Sequence, residues 1–150
     1  MFKPIFAAAV LSSTVLFTAC ATTPSTQQQE TLTLLQDKTW ILTYIGSKEF
    51  NSSPTAHNAP SIRFDSASAR MSGADGCNRL MGGYNINADK ISLNEIATTR
   101  MMCVNTQQLA KDYKSALNKV AAFQVYGTTL RLLDAQGNPV LQFKTDVQAY

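Results

Sequence analysis

Short runs of β-branched and aromatic residues, separated by turn-forming residues, dominate the chain from Trp40 onward. Near the C-terminus, three such runs are separated only by Gly127 and by the stretch 134–139, which reads Asp-Ala-Gln-Gly-Asn-Pro. Turns of this composition join neighbouring antiparallel strands, because these residues adopt the backbone angles of tight turns. The pattern predicts a mainly antiparallel sheet with strands near 40–45, 61–65, 69–72, 91–93, 96–101, 123–126, 129–133 and 140–144.

A single helix is predicted at about 105–121, where apolar residues recur with a period of 3.6. Asn105 is a suitable N-cap, and Gln108 stands at the position of its capping-box partner. The opposite face carries three lysines that we interpret as solvated surface: Lys111, Lys114 and Lys119. One helix among seven or eight strands predicts an α+β domain with an antiparallel, barrel-like sheet.

The N-terminus has the layout of a secretory signal. Lys3 precedes an uncharged, largely apolar run of 16 residues, Pro4 to Ala19. That run is shorter than the ~20 residues that span a bilayer. Small residues just before Cys20 resemble a lipobox, which predicts a lipoprotein signal peptide at 1–19 and a lipidated Cys20. The alternative is ordinary cleavage after Ala21, which would discard the cysteine.

Lipidation would place the protein in the cell envelope. Three acyl chains on Cys20 give stable anchoring, whereas one chain is marginal. Ala21 follows the cysteine, and by analogy with Gram-negative lipoproteins the absence of Asp there favours the outer membrane, facing the periplasm. Residues 20–36 are predicted to form a flexible tether, whose apolar end at 31–36 docks onto a domain at 37–150.

Charge excludes one class of function. Only 15% of the 150 residues are charged, and the net charge is +3. Removal of Lys3 with the signal peptide leaves 12 basic against 10 acidic side chains. There is no basic run with interleaved aromatic residues, so we expect no nucleic-acid partner. The 45% hydrophobic content is typical of a chain that folds around a core.

Two blocks in the middle of the chain carry a family resemblance. Residues 72–84 fit SG-x-x-x-CNR-x-x-GG-Y, and residues 97–103 fit A-x-TRMMC. With the Trp40 strand, the I-x-F-D of 62–65 and the helix, they resemble the META-domain family, and within it the HslJ-like heat-inducible bacterial lipoproteins. The resemblance covers 37 to about 144. It implies an antiparallel β fold with a packed helix, a context of heat and envelope stress and novobiocin tolerance, and no known reaction.

The cysteines suggest a crosslink. If Cys20 carries lipid, Cys77 and Cys103 remain as an even pair in an oxidising compartment. A bridge between them would join the two blocks, close a loop of about 27 residues and remove roughly 3–4 kcal/mol of denatured-state freedom. We therefore predict a disulfide. The alternative is a catalytic thiol, with Cys77 paired to His57, the only histidine.

Four of the seven glycines lie within eleven residues, at Gly73, Gly76, Gly82 and Gly83. This density predicts a tightly turning loop, or a backbone that approaches another chain segment closely. No Gly-Lys-Ser/Thr follows, so the stretch is not a phosphate loop. The candidate residues for a partner or ligand loop are Asn78, Arg79, Gly82, Gly83 and Arg100. The structural alternative is that they tie the loop to the sheet.

Apart from the alternative of a Cys77–His57 pair, nothing in the sequence indicates catalytic residues, a metal site or a cofactor. There is one histidine and no CxxC spacing, and the carboxylates are scattered singly; Asp75 and Asp89 flank predicted turns. Four methionines are interpreted as core filling, with a soft binding surface as the alternative: Met71, Met81, Met101 and Met102.

The sequence therefore predicts a non-catalytic, lipid-anchored envelope protein, in contact with the membrane and with a candidate envelope protein partner. Stress tolerance is implied by the resemblance. The alternative is a barrel-like binding module, which holds a small apolar ligand or inhibits an envelope-targeting enzyme.

Overall fold

A computed structural model of the chain describes residues 25–51 and 58–145. The predicted signal peptide, Cys20 and His57 lie outside the described residues. The described part contains two helices and nine strands: α1 Thr26–Leu35, β1 Thr39–Ile45, β2 Lys48–Glu49, β3 Ser61–Asp65, β4 Arg70–Ala74, β5 Arg79–Asn87, β6 Lys90–Thr98, α2 Gln107–Leu117, β7 Ala122–Tyr126, β8 Thr129–Leu133 and β9 Pro139–Lys144. Neither helix is long and apolar enough to cross a membrane.

The strands form a closed antiparallel ring. Pairing runs from β1 through β3 to β9 in chain order, and β9 pairs back onto β1 with Ile41 opposite Lys144. The short β2 pairs only with the end of β1, beyond the part that faces β3. The weakest junction is between β6 and β7, whose register has the one pair Lys90–Ala122. The predicted barrel-like antiparallel sheet with helical packing is confirmed.

Large side chains fill the interior of the ring. Alternating residues of β1 and β3 point inward, and Trp40 and Phe64 are fully buried. Helix α2 packs against β1 and β9 through Tyr113, whose ring meets that of Phe143 edge-on at 6.3 Å between centroids. The hydroxyl of Tyr113 donates to the Ser61 carbonyl at 3.0 Å. Burial of these aromatic side chains supplies the main driving force for closing the ring.

The flexible tether predicted for 20–36 is wrong for Thr26–Leu35, which forms helix α1. The Ser25 hydroxyl caps it by accepting from the Gln28 N–H at 3.3 Å. Leu35 is fully buried, and its carbonyl accepts from the Trp40 indole at 2.8 Å. The helix is therefore fixed by tertiary contacts at its apolar end, and the predicted docking of 31–36 is confirmed.

Helix α2 is shorter than the predicted 105–121. Its N-cap is Thr106, not Asn105, and Thr106 makes no side-chain capping bond. The Gln108 side chain donates to Asp112 at 2.7 Å instead of completing a capping box. The helix ends at Leu117 with Asn118 as its C-cap, and β7 begins at Ala122. The three lysines of the outer face are exposed, as predicted: Lys111, Lys114 and Lys119.

The predicted glycine-rich loop is instead mostly strand. Only residues 75–78 form the turn, and β5 begins at Arg79 and contains Gly82 and Gly83. Of the four glycines, only Gly76 has a positive φ, +95°. A Cβ at Gly73 would lie 2.1 Å from the Ser61 carbonyl oxygen, and one at Gly82 would lie 2.8 Å from that of Asn94. Gly73 and Gly82 thus allow close approach between backbones within the sheet.

The strands predicted at 91–93 and 96–101 form one strand, β6, which ends at Thr98. It carries an irregularity in its pairing with β5, where the register shifts between Met81 and Gly83. Glu95 lies there with a positive φ of 50°. A bulge of this kind re-aims the strand without ending it, so alternation of apolar residues is interrupted within one element.

Candidate functional site

A disulfide joins the two sequence blocks. Cys77, in the β4–β5 turn, is bonded to Cys103, between β6 and α2, with their Cα atoms 5.9 Å apart. The predicted pairing is confirmed. Because both thiols are in the bridge, Cys77 has no free thiolate to act as a nucleophile while the disulfide is intact.

Asp75 and Asn78 organise the turn that carries Cys77. Asp75 is buried, and its Oδ1 accepts from the backbone N–H groups of Cys77 at 2.9 Å and Asn78 at 2.6 Å. The Asn78 Oδ1 accepts from the Met101 N–H at 2.8 Å, across the junction of the two blocks. Asn78 thus has the structural role that the sequence left open, since its side chain is used to hold the two blocks together.

The side chains of Arg79 and Arg100 do not share the structural role of Asn78. Arg79 is held through its backbone, whose N–H donates to the Thr99 hydroxyl at 3.0 Å and whose carbonyl accepts from the Thr99 N–H at 3.1 Å. The Arg79 and Arg100 side chains are exposed and make no hydrogen bond or ion pair with any described residue. Of the candidate residues, these two are available to a ligand, whereas Gly82 and Gly83 lie within β5.

A cleft of about 320 Å³ lies between the turn at 75–78, here called the disulfide turn, the end of β6 and the start of α2. Its lining brings Asn78 and Arg100 together with Lys111 and Lys114 of α2. The carboxylate of Asp75 also borders the cleft, but its Oδ1 already accepts two backbone hydrogen bonds. The cleft is therefore cationic. Sequence reasoning assigned Lys111 and Lys114 only to solvent, although their i, i+3 spacing places them on one side of the helix.

Arg79 lines a second, open groove of about 470 Å³ over strands β1, β3, β4 and β5. Met81, on β5, contributes to the same groove and is 56% exposed. The interpretation of the methionines as core filling is confirmed for Met71, which is fully buried, and is wrong for Met81. It is also wrong for Met101 and Met102, which are 49% and 98% exposed.

Two tyrosine hydroxyls, those of Tyr113 and Tyr84, have structural partners. Burial raises the pKa of Tyr113, so this side chain remains a hydrogen-bond donor to Ser61. At the α1 end, burial raises the pKa of Tyr84, whose hydroxyl donates to the Asp65 carbonyl at 3.0 Å and accepts from Gln36 at 2.7 Å. Both tyrosines tie a helical segment to the sheet.

These features define a small disulfide-linked, antiparallel β-barrel protein with a cationic cleft beside the bridge. The sequence profile of the META domain matches residues 30–147, and the chain belongs to the META domain family. No curated protein sequence matches it significantly.

Two structures solved by NMR are similar in fold, each with a TM-score of 0.59. One protein is 27% identical, and the match covers 77% of this chain and 94% of that one. The other, from Burkholderia xenovorans, is 23% identical, and the match covers 91% of this chain and all of that one. They show that this chain has the same fold.

Proposed function

We propose that this protein is a non-catalytic, HslJ-like lipoprotein of the bacterial envelope, anchored through Cys20 and acting in stress tolerance. The observation that carries the proposal is the position of Cys20, directly after a charge-free apolar segment that follows Lys3. The Cys77–Cys103 disulfide supports an oxidising compartment, because such bridges persist outside the cytoplasm.

A non-catalytic role is supported by how the reactive side chains are used. The thiols of Cys77 and Cys103 are bonded to each other. The Asp75 carboxylate accepts backbone N–H groups, and the Tyr113 hydroxyl donates to a backbone carbonyl. Each of these groups stabilises the barrel or its turn, so the domain is suited to presenting a surface at the membrane.

A deletion strain tests the proposed role. We expect the strain to lose tolerance to heat and novobiocin, and to regain it with the wild-type gene. A gene carrying Cys20→Ala should produce a folded domain that does not restore tolerance, because the protein is no longer held at the membrane. Full restoration by Cys20→Ala at equal protein levels would contradict the anchored role, and unchanged tolerance of the deletion strain would contradict the stress role.

The second candidate function is a binding module. Its support is the pair of open surface clefts, one lined by Arg79 and one by Arg100. A small apolar ligand inside the barrel would compete with Trp40, Tyr113 and Phe143, which fill the interior. The clefts favour a polar or anionic ligand instead. A native mass spectrum of the purified protein that shows a bound small molecule would favour this candidate over the first.

A further inference from the structure

We propose that the segment 99–106, here called the disulfide loop, contacts an anionic lipid surface, with Met102 and Val104 inserted at the interface. The proposal adds a second membrane contact to the proposed anchor at Cys20, and rests on that function for its setting. It also assigns an orientation to the barrel on the membrane.

The first support is the exposure of apolar side chains in the disulfide loop. Met101, Met102 and Val104 are 49%, 98% and 90% exposed. The described residues include five exposed large hydrophobic side chains, and these three lie within four consecutive positions. Single exposed hydrophobic residues are ordinary on a protein surface, whereas a cluster marks an interaction site.

The loop is held in place at several points. Cys103 is bonded to Cys77, and the Met101 N–H donates to the Asn78 side chain. Upstream, Thr99 exchanges two hydrogen bonds with Arg79. The exposed side chains are thus presented by a backbone that the fold has already ordered, so little conformational entropy remains to be lost on contact.

Charge identifies the surface that the loop fits. Arg100, Lys111 and Lys114 line the cleft beside the loop and are exposed. None of the three forms an ion pair with a described carboxylate. Among the residues that the structure describes, the ion pair joins Lys90 to Asp89. Unpaired cations around an apolar tip match the interface of a bilayer, where anionic headgroups surround the acyl region.

A lipid surface fits this loop better than a protein surface does. Protein hot spots are rich in tryptophan, tyrosine and arginine packed in pockets, whereas the loop offers two methionines and a valine on an open tip. An anchor at Cys20 would keep the lipid surface at high effective concentration, so a weak contact would suffice to orient the domain.

The loop and the start of α1 lie at different ends of β6. Ser25 and Gln28 share a groove with Asp89, just before β6, whereas the loop follows Thr98, the last residue of that strand. Nine strand residues separate these ends by about 27 Å. Since the proposed anchor at Cys20 is only five residues before Ser25, the start of α1 stays near the membrane, and the loop comes closest to the same surface when the barrel lies on its side, with β6 along the surface. An upright barrel would hold the loop away from the membrane.

Tryptophan quenching distinguishes the two orientations. The full chain, with Met102→Trp, is reconstituted into phosphatidylethanolamine–phosphatidylglycerol vesicles whose acyl chains carry bromine. The matched control is Tyr126→Trp, at an exposed position that ends β7, the strand packed against α1. Trp40 is fully buried and gives the same background in both proteins. We expect bromine to quench the tryptophan at 102 at least twofold, and more strongly than that at 126, because the loop inserts and the end of β7 does not.

Three outcomes would overturn the proposal. Quenching at 126 without quenching at 102 means an upright barrel. No quenching at 102 on vesicles, combined with a specific crosslink from 102 to an identified envelope protein in cells, means a protein contact. Equal quenching at 102 on neutral phosphatidylcholine vesicles means that charge has no part. The variant R100Q/K111Q/K114Q adds a further test: each lost cation should lower the ratio of loop-bound to loop-free protein about fivefold, so an unchanged ratio in this variant would overturn the role of charge.

Vesicle flotation separates this proposal from the anchor. If Cys20→Ala floats as well as the wild type on neutral phosphatidylcholine vesicles, where the cations of the loop find no anionic lipid, the anchor is wrong, whereas quenching on anionic vesicles still reports whether the loop touches lipid. If the wild type floats and Cys20→Ala does not, the anchor is supported. If the Met102→Trp protein with Cys20 intact floats and its tryptophan at 102 is not quenched, the loop contact is wrong and the anchor is unaffected.

Discussion

The glycines of the block at 72–84 allow a test of whether glycine is required there for close approach between strands. Gly73 of β4 and Gly83 of β5 are both strand residues in the same motif. A Cβ at Gly73 would lie 2.1 Å from the Ser61 carbonyl oxygen, a distance at which backbone must move. A Cβ at Gly83 would have its nearest neighbour, the Asn94 oxygen, at 4.0 Å. Gly73→Ala and Gly83→Ala are therefore a matched pair.

The expected cost of Gly73→Ala follows from this contact. Clearing it requires β3 and β4 to separate by about 1 Å, and overpacking of this kind costs about 1–3 kcal/mol. Weakening a neighbouring ladder hydrogen bond adds about 1 kcal/mol. Alanine restricts the unfolded chain more than glycine does, and this effect stabilises either variant by about 0.5–1 kcal/mol. We expect Gly73→Ala to lose about 2 kcal/mol of unfolding free energy, and Gly83→Ala to stay within about 1 kcal/mol of wild type.

Urea denaturation followed by the fluorescence of buried Trp40 measures both values. For a domain of this size, the loss at Gly73 corresponds to a fall in Tm of about 8 °C. Equal stability of Gly73→Ala and wild type would refute the argument from close approach. If that variant also lost stress tolerance, Gly73 would have to serve a ligand or partner instead.

Other perturbations address the disulfide turn and the acid limit of stability. Replacing both Cys77 and Cys103 by Ala should cost about 3.5 kcal/mol in urea titrations, from a separation of 26 residues, and dithiothreitol should then have no further effect. Asp75→Ala should cost about 1–3 kcal/mol in the same assay, because two backbone N–H groups lose their acceptor, and an unchanged midpoint would contradict that role. Backbone and side-chain hydrogen bonds from Asn138 lower the pKa of Asp134, so its stabilisation is complete above the unfolded pKa and is lost as pH falls through the folded value. Asp134→Asn should therefore flatten the stability profile below about pH 5, and an unchanged slope there would refute this assignment.

Strands whose apolar residues alternate locally could be predicted from the sequence. The predicted bounds of β3 and β8 match the structure, because each begins with alternating burial and lies between clear turn signals. Strand β5 could not be predicted, since Gly82 and Gly83 lower the local strand signal. The reason for Gly82 is a non-local contact with the backbone of β6. Helix α1 was missed because its sequence is polar and only Leu35 among its residues is buried.

Part of the candidate site could likewise be predicted from the sequence, and part could not. Pairing of Cys77 with Cys103 could be predicted from the even count of cysteines and the expected compartment. The approach of Lys111 and Lys114 to Arg100 could not, because it depends on how the disulfide loop turns the chain from β6 into α2. Arg79 and Arg100 were grouped by sequence motif, whereas the structure places their side chains in different clefts.

Lipid attachment at Cys20 is the central claim, and metabolic labelling with palmitate tests it most directly. Wild-type protein and the Cys20→Ala variant are expressed in the same bacterial host, and the label is followed in the purified chain. We predict that the wild type is labelled and fractionates with the outer membrane, and that Cys20→Ala is unlabelled. An unlabelled wild-type protein, or equal labelling of Cys20→Ala, would contradict the account.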